Sequence, residues 1–106
     1  MGNFASIVLT LKRSVKKGDK ESLLSLFDDA NRFKRMDILE DAQEGSSVKV
    51  ILEELGEIEL KLGDNMQKGQ KKSIMTLFWY VERSKPIEIK KDAEAGSNIL
   101  IKLLSA

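Results

Sequence analysis

Residues 47–62 read SVKVILEELGEIELKL, and two periodicities compete for them. Val48, Val50 and Leu52, then Ile58, Leu60 and Leu62, recur at a spacing of two, with Glu57, Glu59 and Lys61 turned the other way. That is the alternation of a half-buried β-hairpin. Val48, Ile51, Leu52, Leu55, Ile58 and Leu62 also form a helical stripe. The strand reading leads to an α+β protein, the helical one to an all-α bundle; we take the strands and keep the bundle as the alternative.

Working toward the C-terminus, GDNMQKGQKK (63–72) is polar and glycine-punctuated, a loop. SIMTLFWYVERS (73–84) is dense in β-branched and aromatic residues and reads as a central strand. Pro86 holds Lys85 extended, Ile87 and Ile89 alternate, AEAGSN is a turn, and ILIKLL supplies a last apolar element.

Toward the N-terminus, Phe4, Ile7, Val8, Leu11 and Val15 follow the spacing of one helical face, stopped by Gly18. Asp19 then caps a second helix whose Leu23, Leu24, Phe27, Ala30 and Phe33 form its stripe. The expectation is a single domain over 1–106. A helical hairpin in residues 1–45 packs on a small antiparallel sheet in residues 46–106. No internal repeat is read.

The chain of 106 residues is 42% hydrophobic and 33% charged, the balance of a chain that folds. With no cysteine and no histidine, disulfides, thiol catalysis, thiolate metal sites and the commonest general base are absent. No stretch nears the roughly 18 apolar residues of a membrane span. Net charge is only +1, but it is zoned. Residues 1–18 carry Lys12, Arg13, Lys16 and Lys17 and no acid, residues 19–62 carry 12 acids against 6 bases, and the remainder has 8 bases against 5 acids.

The motif that could carry function is MGNFAS. Removal of Met1 exposes Gly2, and Ser6 completes the M-G-x-x-x-[ST] pattern for N-myristoylation, in which an unhindered glycine amine is acylated. One acyl chain binds membranes only marginally, so a second signal is needed. Lys12, Arg13, Lys16 and Lys17, joined by Lys68, Lys71 and Lys72 if their loop lies on the same side, could supply it on an anionic surface. Over its first 17 residues the chain resembles, in general design, the myristoylated viral matrix and accessory proteins and the small acylated signalling adaptors. That resemblance implies targeting by an acyl chain plus a basic surface, with the protein cytoplasmic and peripheral to a membrane.

Phe78, Trp79 and Tyr80, flanked by basic residues, are the candidate partner-binding group. On a strand they could also stack single-stranded nucleic acid, the third choice. No P-loop, dinucleotide-binding or G-x-S-x-G pattern occurs, and the acidic residues lack calcium-loop spacing. The expectation is a non-enzymatic, membrane-peripheral adaptor or virus-type accessory protein without metal or cofactor. The alternative is a soluble regulatory or assembly subunit binding another protein through its sheet, with homo-oligomerisation open.

Overall fold

The computed structural model describes residues 3–27, 34–79 and 84–105. In chain order they form β1 (Asn3–Thr10), β2 (Lys20–Ser22), α1 (Leu23–Leu26), β3 (Arg35–Ile38), β4 (Ser47–Leu52) and β5 (Gly56–Lys61). Then follow β6 (Lys71–Ser73), α2 (Ile74–Leu77), β7 (Pro86–Glu88) and β8 (Asn98–Ser105). The protein is mostly β. The expected N-terminal helical hairpin, its packing on a C-terminal sheet and the all-α alternative are overturned, and with them the division into a helical 1–45 and a β 46–106.

Residues 47–62 form the hairpin that their alternation predicts: β4 and β5 pair antiparallel from Ser47↔Lys61 to Leu52↔Gly56. Val48, Val50, Leu52, Leu60 and Leu62 are buried, whereas Glu57, Glu59 and Lys61 are exposed. β1 was the trap. A register shift between Asn3 and Ala5 lets both Phe4 and Ala5 point inward, after which Ile7, Leu9 and Leu11 alternate normally. Such a bulge puts apolar residues at i, i+1 and i+3, which imitates a helical face. Val8, counted into that face, instead points outward from the sheet and is 43% exposed.

The six-stranded sheet has the order β5-β4-β8-β1-β3-β6, and β2 pairs with β7. Lys90 N donates to Leu55 O (2.8 Å), and Ile89 exchanges hydrogen bonds with Gly18 and Asp19, so β7 and β2 continue the curled sheet beyond β5. One contiguous core fills it, with Leu9, Leu52, Phe27, Phe78, Ile101 and Leu103 fully enclosed.

The organisation is a duplication. Of the 49 residues from Phe4 to Leu52, 17 are identical to the residue 51 places later, without a gap, and the strands and one-turn helices recur at that offset. The reading of no internal repeat is therefore corrected. Hydrogen bonds repeat with the residues. Leu39 N to Phe4 O (2.8 Å) matches Lys90 N to Leu55 O (2.8 Å), and the Val15/Ala93 bridge matches the Met66/Ala42 bridge. Ser22 and Ser73 each cap their helix by accepting from the N–H three residues on, both at 3.1 Å.

Four turns share one form, an apolar residue followed three places later by glycine: Val15/Gly18, Ala42/Gly45, Met66/Gly69 and Ala93/Gly96. Each glycine lies at φ between 86° and 95°, the third position of a turn closed by the next residue's N–H, where a side chain would be strained. β8 runs antiparallel to both β1 and β4, and β5 antiparallel to β4, so β1 and β5 point in opposite directions. The loops that follow them, 11–19 and 62–70, therefore lie at opposite ends of the strands.

Candidate functional site

Because the two halves share one backbone plan, each outward position has a counterpart that shows what the fold itself requires there. On the outer face, Val8 of β1 lies opposite Leu100 of β8. Lys102 lies between Ser6 and Ile51, and Leu104 between Asn3 and Lys49. Ile51, Leu100 and Leu104 thus surround Lys102 and with it line an open depression of about 270 Å³, together with Asn3 and Glu53, while Val8 stands beside Leu100 on the neighbouring strand. Their counterparts 51 places away are Glu59, Lys102, Lys49 and Glu53. At each of these four pairs of equivalent positions the fold accepts a charged residue in one half and carries an aliphatic one in the other, Val8 and Ile51 coming from the first half and Leu100 and Leu104 from the second. Leu39, 50% exposed at the end of β3, likewise corresponds to Lys90.

The side chain of Lys102 makes no ion pair or hydrogen bond among the described residues, although its neighbours are engaged. Glu53 Oε1 accepts from Leu100 N at 2.7 Å, and Lys49 stands 3.8 Å from Glu57.

The lysines divide between the two ends. Loops 11–19 and 89–97 lie side by side, joined by Leu11 N to Ser97 O (2.9 Å) and the Val15/Ala93 bridge, and together display Lys12, Arg13, Lys16, Lys17, Lys90 and Lys91. Lys68, Lys71 and Lys72 belong to the opposite end; Lys71 pairs with Asp37 at 3.3 Å and Lys72 with Asp64 at 2.7 Å. The Lys72 hydrogen bond holds the Asp64 carboxyl below its ordinary pKa. The exposed Lys91–Glu54 pair lowers the pKa of Glu54 and raises that of Lys91 through their mutual hydrogen bond. The structure thus does not bring the seven basic residues named from the sequence onto one surface.

Gly2 lies outside the described residues. Ser6 is exposed in the middle of β1. Asn3, the first described residue, is separated from Lys12 by the whole of β1, about 23 Å at 3.3 Å per residue.

The aromatic group is split as well. Residues 73–84 contain a one-turn helix rather than the central strand expected of them, and it delivers Phe78 into the core with no exposure. Trp79 is 39% exposed, and Tyr80 lies outside the described residues.

Sequence reading missed Val8, Ile51, Leu100, Lys102 and Leu104 as a group. Only the offset of 51, signalled by the four apolar-x-x-Gly turns, sets the four aliphatic side chains against their charged counterparts. Among the described residues no helix is long and apolar enough to cross a membrane, and no cluster of acidic side chains could hold a metal ion. Comparison with known proteins adds no relative: no family model fits the chain, and no curated protein or solved structure matches it.

Proposed function

We propose that this chain is a non-enzymatic assembly or regulatory subunit that docks on another protein through the outer face of β1, β8 and β4. The observation that carries the reading is the contrast within four pairs of equivalent positions, Val8 against Glu59, Ile51 against Lys102, Leu100 against Lys49 and Leu104 against Glu53, with the aliphatic member of every pair, two from each half, gathered around Lys102. An aliphatic group that the fold does not need, gathered on one accessible face, has the make-up of an interface core. The unpaired Lys102 in its midst sets the partner's chemistry, an apolar protein element that carries a carboxylate opposite that ammonium group. Closure of the interface then neutralises the lysine instead of stranding it.

The test places a photo-crosslinking amino acid at Val8 or Leu100, and at Glu59, the counterpart of Val8 on β5, as the control, in the full chain within its own cells. One discrete heterologous adduct is expected from Val8 or Leu100 and none from Glu59. Val8→Glu together with Leu100→Lys, each the residue carried by the counterpart, should abolish an adduct formed from position 104 with the unfolding midpoint nearly unchanged. Adducts equally frequent from Val8, Leu100 and Glu59, or an adduct only to a second copy of the chain, would overturn the reading.

A further inference from the structure

The end formed by loops 11–19 and 89–97 differs sharply in charge from its counterpart. Residues 12–20 and 90–97 carry seven cations and three acids, whereas the equivalent residues 63–71 and 39–46 carry two cations and four acids. The fold accounts for two of the three acids at the basic end. Asp19 Oδ2 accepts from Lys16 N (3.0 Å) and Asp92 Oδ1 from Lys17 N (2.8 Å), the second repeated by Asp41 and Lys68 N (2.7 Å) in the other half.

The cations have no such explanation. Arg13 pairs with Glu21 and Lys91 with Glu54, but the side chains of Lys12, Lys16, Lys17, Lys20 and Lys90 are exposed and make no ion pair among the described residues. Three of these five stand where the other half has Gly63, Gln67 and Leu39. The cost of mutual repulsion is thus incurred at one end only.

We infer that this basic end is an adsorption site for an anionic lipid surface, acting without help from Gly2. The chemistry of the five free cations favours a diffuse field of headgroups over a nucleic acid. All are lysines, point charges on flexible stems that lack the planar fork used for bidentate phosphate and base recognition. Residues 11–20 and 89–97 contain no aromatic side chain on which a base could stack. Leu11 and Val15 of the same loops are buried, so contact is electrostatic and inserts nothing into the bilayer.

Each lysine held near an anionic leaflet strengthens adsorption about fivefold. The experiment uses the full chain made without an N-myristoyltransferase and sedimented with vesicles of phosphatidylcholine containing about 30% phosphatidylserine, in low salt. Binding is expected to these vesicles and not to pure phosphatidylcholine. Lys12→Gln, Lys16→Gln and Lys90→Gln combined should weaken it about a hundredfold. Lys68→Gln with Lys71→Gln at the opposite end should change it less than twofold, and salt near 0.5 M should remove it. Equal binding to neutral vesicles, an unaltered triple variant, or displacement of the vesicles by duplex DNA at equal charge would each overturn the assignment.

Discussion

Phe78→Ala should destabilise the protein by about 3–5 kcal/mol, and Phe27→Ala by the same amount within about 1 kcal/mol. Each ring follows a one-turn helix, each has no exposure, and each is the other's counterpart at an offset of 51. Removing either leaves a ring-sized cavity in a core that both halves share. Against a typical total of about 5–15 kcal/mol, either change leaves a small or vanishing margin. Phe27→Leu and Phe78→Leu keep most of the volume and bring the comparison into a measurable range. Urea titration should give both leucine variants lower midpoints by similar amounts. A Phe78 variant of native stability would show that the ring is not the core residue described above.

Gly63→Ala should cost about 2–3 kcal/mol, a fall of roughly 10 °C or more in Tm. A Cβ on Gly63 would lie 2.7 Å from Trp79 O, 2.9 Å from Leu77 O and 3.0 Å from Trp79 N. All three are backbone atoms that cannot swing aside, and the Gly63 N–H itself donates to Leu77 O. The loop after β5 is thereby pressed against the segment that carries Phe78 and Trp79. Gly69→Ala is the informative comparison. Its φ of 93° makes alanine strained but nothing lies within 4 Å of the added atom, so its cost should be smaller. Equal losses at the two glycines would mean that close approach is not what Gly63 serves.

The hairpin over residues 47–62 was legible because its alternation is regular and both strands have one wet face. The N-terminal strand was not, because the bulge at Phe4 and Ala5 breaks the alternation where a short window is most sensitive to it. The two one-turn helices are more instructive. Leu23, Leu26 and Phe27 match Ile74, Leu77 and Phe78 in position and burial. The first set reads as part of a long helix and the second as a strand, only because leucine and serine surround one while isoleucine, threonine and aromatic residues surround the other. A single offset of 51 exposes the contradiction between those readings. It was masked by opposite charge on the outer positions, where Arg13 faces Asp64 and Lys91 faces Glu40 across the alignment. The candidate surfaces were illegible for the same reason, since an exposed leucine acquires meaning only beside the lysine that replaces it in an identical setting.

Two equivalent halves interlock, so that position 105 stands to position 4 as 54 stands to 55. Asn3 and Leu104 are already register partners on adjacent strands. A circular permutant running from Leu55 to Ser105, joined directly to Phe4 and ending at Glu54, tests this equivalence. The new junction copies the native one, and the cut falls directly after the exposed Glu53–Glu54 pair, leaving the buried Leu55 as the first residue, as its counterpart Phe4 is buried next to the first described residue of the parent. Its urea unfolding should be one cooperative transition with the parent's m-value and a stability within about 2 kcal/mol of the parent. A permutant that is unfolded, or that unfolds with a markedly smaller m-value, would contradict the equivalence of the halves.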